Sequence, residues 1–268
     1  SGSNKMKKGF FGYGRCPHCD GFLKEKDLEK NICWSCEKAL EEKQKEKKIE
    51  ESSNNNQNKI INYLNNFPKV SPGEKYSNFQ EAKQELNKLY THYSSIISSN
   101  YELNESINTL IYDSGINFLF PPNEVGIYAF GVEAFNEGVR TSTKSYFNLG
   151  FDVFTISLGL KEEYHQAYNR AADCLSKTGY YKKALIFYTK AINLILTKDS
   201  TGYIPKDTYL GDNYFKMAIC QKRLSNNKDI IIALIEEARL LIGEDYDEFS
   251  IWGFKDWGDV VKILYESK

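Results

Sequence analysis

Residues 164–196 read YHQAYNRAADCLSKTGYYKKALIFYTKAINLIL and constrain this chain more than any other stretch. Two runs of apolar residues at helical spacing flank Gly179, which sits where an interhelix turn needs a positive φ at low cost. Ala172, Ala184 and Ala191 are small where two helices would have to approach closely. Tyr181 and Tyr188 are large enough to fill the gaps between them. The pattern predicts a helical hairpin. One hairpin cannot bury its apolar face alone, so it must stack against neighbours.

The hairpin resembles a tetratricopeptide repeat, a helix-turn-helix unit of about 34 residues. With one repeat over 165–198, the family's signature positions fall on Tyr168, Ala171, Ala172, Leu175, Gly179, Tyr181, Ala184, Tyr188 and Ala191. One repeat length upstream, Gly138 and Gly150 replace two of the alanines and Phe147 and Phe154 replace the two tyrosines, which marks a degenerate repeat over 131–164. Downstream the alignment resumes at 211–242, with Tyr214 and Ala218 matching Tyr168 and Ala172 and Cys220 matching Cys174. The inserted residues 197–208 contain the loop formers Ser200, Gly202 and Pro205. An extra turn residue is needed before the second half of this last unit, 230–241. The fold class expected is mainly α, a TPR-like helical-hairpin solenoid over 76–268 carrying a small N-terminal four-cysteine zinc module.

In that family the first helix of each unit lines a concave face that binds a peptide or partner helix. The resemblance places Asn136, Gln166, Asn169, Arg170, Asp173, Asp212, Lys216 and Arg223 on that face. In this register Asn169 and Arg170 project into the groove and make no core contact. Phe135 and Phe215 stand where polar side chains are expected, so a complete clamp for a terminal carboxylate is not implied. The expected function is a protein-interaction scaffold.

The strongest chemical signal lies elsewhere. Cys16-Pro-His-Cys19 and Cys33-Trp-Ser-Cys36 are two Cys-x-x-Cys pairs separated by thirteen residues. Each pair bends the backbone so that both sulfurs face one ion, and the spacing predicts a tetrahedral four-thiolate Zn²⁺ site. A module over residues 9–40 has too little core to fold without such a cross-link. A redox pair would need a βαβ setting, and disulfides suit an intracellular chain poorly. His18 is expected to be exposed. Four thiolates leave no open coordination position, so the metal is expected to be structural. The module resembles a zinc ribbon or a treble clef, and the helix-forming run 37–51 directly after Cys36 favours the treble clef.

The remaining chain follows from local signals. Residues 1–8 read as a tag or lead-in, with an expression scar at 1–3. Residues 41–75 read as a charged helix followed by an Asn-rich linker, SSNNNQN at 52–58, and a short helix at 60–67. Helices are expected over 77–93, with Ser77 as cap, and around 103–111. A terminal helix starts after the cap Asp256, with Trp252, Phe254 and Trp257 packing beneath it. The formal net charge is -1, which gives no bulk attraction to nucleic acid or acidic membranes. Residues 5–38 hold eight Lys/Arg against five Asp/Glu, a surplus offset by the negative zinc-tetrathiolate centre. Nucleic-acid binding led by the zinc module is therefore the second reading. No apolar run is long enough to span a bilayer, and the expectation is a cytoplasmic protein. His18, His92 and His165 are scattered, and no catalytic constellation is evident. The chain is expected not to be an enzyme, with an unrecognised enzyme as a further alternative.

Overall fold

The computed structural model describes residues 15–21, 23, 30, 32–70, 73–112, 119–197, 206–224 and 227–266. The expected lead-in, most of the stretch between the cysteine pairs and most of the 197–208 insertion lie outside the described residues. The chain divides into two compact units, residues 1–55 and residues 56–268. The described residues contain no β-strand.

Helix α1 spans Trp34–Leu64 and crosses the boundary between the units. Its first half is charged, and Lys38, Glu42, Lys47 and Glu51 form exposed i,i+4 pairs along it. The 52–58 stretch, expected to be an irregular linker, is helical, and the predicted short helix at 60–67 is the end of the same element. The reason is tertiary. Within the second unit, Asn56 donates to Glu236 at 2.8 Å and Tyr63 donates to Gln221 at 2.7 Å. Ile60 and Leu64, four residues apart, are buried on the same face.

The second unit is a succession of helices that pack on their chain neighbours. Helices α2 (Phe79–His92), α3 (Ser94–Ser98) and α4 (Tyr101–Tyr112) precede three hairpins. The cap of α2 is Asn78, one residue later than expected, and accepts from Glu81 N, while Glu81 reaches back to Ser77 N. Leu86, Ile107 and Leu110 join Phe130, Ala134 and Val153 in one apolar cluster.

The hairpins are α5 (Glu124–Thr141) with α6 (Lys144–Leu160), α7 (His165–Lys177) with α8 (Tyr181–Thr197), and α9 (Lys206–Leu224) with α10 (Lys228–Ile242). The small-large pairing of the register is physical. A Cβ at Gly131 would lie 2.6 Å from the Phe154 ring, and one at Gly138 would lie 2.8 Å from Phe147. These two glycines let α6 press its phenylalanines against the α5 backbone. In the central hairpin Ala172, Ala184 and Ala191 are fully buried. Gly179 turns the chain at φ +92°. Tyr180 N donates to Leu175 O and Gly179 N to Ser176 O, so α7 ends in a complete Schellman motif.

After α10, residues 243–248 lead into α11 (Phe249–Trp252) and α12 (Trp257–Val261), capped by Asp256 as expected and continued as a π-helix over Lys262–Glu266. Phe215 is ringed by Tyr246, Phe249, Phe254 and Trp257 at centroid distances of 5.3–5.7 Å. The C-terminal segment thus covers the apolar face of the last hairpin.

Candidate functional site

In the first unit, Cys16, Cys19, Cys33 and Cys36 converge, with their four Sγ atoms all within 4.8 Å of one another and no disulfide between them. Local backbone bonds build the convergence. Cys16 N donates to Gly21 O at 2.8 Å and Asp20 N to Cys16 O at 2.9 Å, with Asp20 at φ 55° closing the first knuckle. The second pair straddles the start of α1, where Glu37 N donates to Cys33 O. The Cys19 and Cys33 sulfurs are 3.6 Å apart. Tetrahedral thiolates at a metal–sulfur distance of about 2.3 Å lie about 3.8 Å apart, so the donor set and spacing fit one metal ion. The Cys33 backbone N–H, donating to the Cys16 sulfur, draws that thiol down to about 6, while hydrogen bonding with Cys19 pushes Cys36 up to about 12. His18 is exposed and outside the cluster.

In the second unit, five of the residues assigned to the concave face form one buried network. On α7, Asn169, Arg170 and Asp173 share a face at i, i+1 and i+4. On α9, Asp212 and Lys216 are four apart. Lys216, fully buried, lies 3.1 Å from Asp173, 2.8 Å from Asp212 and 3.1 Å from Glu248. Asp173 also accepts from Arg170 at 2.9 Å and from Tyr188 at 2.8 Å. Arg170 donates to Glu248 at 2.6 Å and stacks over Phe135. Asn169 donates to Asp212 at 2.9 Å, and Tyr246 donates to the other oxygen of Asp212.

Burial works against the Lys216 charge, but Asp173, Asp212 and Glu248 outweigh it and hold the ammonium above the ordinary lysine range. Burial would also raise the Glu248 carboxyl, yet Lys216 and then Arg170 bring it down to about 2. Burial, followed by Asp212, keeps Tyr246 a neutral phenol able to donate.

The expectation that Asn169 and Arg170 make no core contact is therefore corrected. Asn169 is 6% exposed, and the Arg170 side chain is held from two directions by carboxylates. Sequence reading missed Tyr246 and Glu248, which come from the segment after α10. A signal for them existed in Lys216, which interrupts the packed run 214–220 and must have acidic partners if that face is buried.

A pocket of about 570 Å³ opens beside this network. Helices α5, α7 and α9 supply Tyr128, Gln166 and Tyr209, and the segment after α10 supplies Asp245 to Glu248. Gln166 stands at the wall and donates to the Tyr209 hydroxyl at 3.4 Å. The other two assigned residues are placed elsewhere. Asn136 is exposed on α5, beside Glu133, Glu137 and Arg140, and Arg223 is exposed in the last turn of α9. Cys174 and Cys220 are fully buried, and burial pushes the Cys220 thiol up to about 12, as suits packing groups.

Among the described residues these features define a helical protein of stacked hairpins with a four-cysteine cluster near its N-terminus. Searches against protein-family models, curated proteins and solved structures found no match to the chain. No helix among the described residues is long and apolar enough to cross a membrane.

Proposed function

We propose that this chain is a protein-interaction scaffold of tetratricopeptide-like hairpins. It takes an extended peptide or partner helix on the first-helix face, and Cys16, Cys19, Cys33 and Cys36 hold a structural Zn²⁺. The observation that carries the reading is the pocket beside α5, α7 and α9, the first helices of three successive hairpins. That is the face the resemblance assigns to recognition, and its volume lies in the range of about 300–1,000 Å³ usual for ligand sites. The zinc reading is supported by four soft sulfur donors and, among the described residues, no histidine or carboxylate within the cluster. Zinc would supply a cross-link between the two knuckles, and a closed four-sulfur set leaves no position for an activated water.

Recognition is favoured over catalysis because the pocket's strongest polar groups are paired with one another. Arg170 is held by Asp173 and Glu248, and Asp212 by Lys216, Asn169 and Tyr246. Lys216 is held as an ammonium and Tyr246 as a neutral phenol, so neither is an activated nucleophile.

The test is a displayed random-peptide library panned against the intact chain and against a Gln166→Arg/Thr208→Arg variant. Both substitutions fill the pocket and leave the buried network alone. Peptides enriched on the parent and lost on the variant are expected. Enriched peptides that bind the variant equally well would place recognition elsewhere on the molecule.

A further inference from the structure

The pocket beside α7 and α9 is built asymmetrically in charge. Among the described residues its one basic lining side chain, Arg170, already bonds two carboxylates, Asp173 and Glu248. An incoming anion would have to displace one of them. Lys216 lies behind the wall, fully buried, and is ion-paired to three carboxylates. Lys177, over the same Trp252 ring as Lys216, is a third cation beside the network. Against these stand Asp173, Asp212 and Glu248 in the network and Asp245 and Asp247 on the exposed rim, so the described residues here carry three positive and five negative formal charges. The walls between are aromatic. Tyr128, Tyr209 and Tyr246 all line the cavity, and a ring face attracts a cation within about 6 Å.

A cavity of about 570 Å³ is larger than one side chain needs and leaves room for flanking backbone. Gln166, at the same wall, offers an amide that can pair with a peptide group on either side.

From this cavity and its lining we infer that the occupant is the basic side chain of a peptide, a lysine or arginine whose charged head sits between the Asp245–Asp247 rim and the tyrosine walls. This deepens the proposed peptide-binding function and rests on it. The residues after α10 then have two duties. Phe249 seals the last hairpin by packing on Phe215, and Asp245 and Asp247 make the site selective for positive charge.

The experiment is fluorescence anisotropy with labelled peptides of equal length that carry Lys/Arg, Glu/Asp or only neutral residues. Each is measured on the intact chain, on Asp245→Asn/Asp247→Asn, and on the control Glu105→Gln/Asp229→Asn. The control changes net charge equally at exposed sites on α4 and α10. Basic peptides should bind the parent and the control alike. They should lose roughly tenfold or more in affinity on the rim variant, and weaken from low to physiological salt. Equal losses on rim variant and control would mean diffuse attraction and overturn the inference. Tighter binding of neutral or acidic peptides, abolished by Gln166→Arg/Thr208→Arg, would overturn it while leaving the pocket as a peptide site. Absence of binding by every class would overturn both readings.

Discussion

The described residues of the two units differ in what packs them together. Among the described residues of the first, only Cys16 and Leu23 are buried apolar groups. The second buries dozens, in two clusters that run through its hairpins. Two buried apolar groups offset little chain entropy, and on the proposed zinc reading the bonds at the four sulfurs make up the difference. The hairpin unit has the opposite character. Its stability comes from packing, and its buried ion pairs fix which segment lies against which, at a cost in desolvation. The proposed zinc site therefore predicts one part of the chain that stands or falls with an ion and another indifferent to it.

The largest expected effect separates the two. Removing metal with a chelator, or making Cys33→Ser, should abolish the fold around the cysteine knuckles, since structural zinc contributes about 10–16 kcal/mol in small modules. Hydrogen exchange should show residues 15–36 losing protection while helices α5 to α10 keep theirs. Loss of protection in both would mean that the second unit leans on the first.

Within the hairpin unit, the ionic network should be the most sensitive point. Arg170→Ala leaves Lys216 as the ion-pair partner of Asp173, Asp212 and Glu248 together, an excess of buried negative charge, and should cost about 3–5 kcal/mol in urea unfolding. Arg223→Ala, at an exposed position on the end of α9, should stay within about 0.5 kcal/mol. Similar costs for the two would remove the network from the account.

Acid should loosen the same contact. Glu248 has a folded-state value of about 2 against an ordinary 4.5, so its contribution is fully present above 4.5 and is lost as pH falls through about 2. The amount is on the order of 3 kcal/mol. Tryptophan fluorescence, sensitive to Trp252 and Trp257 in the closing segment, should report the loss between those pH values in the parent and not in Glu248→Gln. An unchanged acid transition in that variant would assign it to other carboxylates.

A smaller effect tests the register. Ala184→Leu overpacks a fully buried contact and should cost about 1–3 kcal/mol, whereas Lys182→Leu, at an exposed position on the same helix, should cost little. Equal stability of the two would show that small size at Ala184 is incidental.

What the sequence disclosed depended on whether the cause was local. Helix α7 starts at His165, α8 starts after the Gly179 turn, and Asp256 caps α12, because the residues responsible adjoin the feature they cause. The cysteine cluster was legible for a similar reason, since Cys-x-x-Cys spacing makes each knuckle by itself. The continuity of α1 through 52–58 was hidden. Its polar residues are helical because Asn56 and Tyr63 meet Glu236 and Gln221, 180 and 158 positions away. The pocket's last wall was hidden in the same way. EDYDEF looks like solvated loop until Arg170 and Lys216, brought from other helices, bury Glu248. Asn136 and Arg223 were assigned to the face by repeat position, and the hairpin geometry places both outside the network.

The contrast between the units is tested most directly by native mass spectrometry of the intact chain, purified without chelator, alongside Cys33→Ser. The account predicts one zinc ion per parent chain, displacing four protons, and none in the variant, with the helical circular dichroism of α5 to α10 retained in both. A parent chain that carries no metal, yet protects residues 15–36 from exchange, would contradict it.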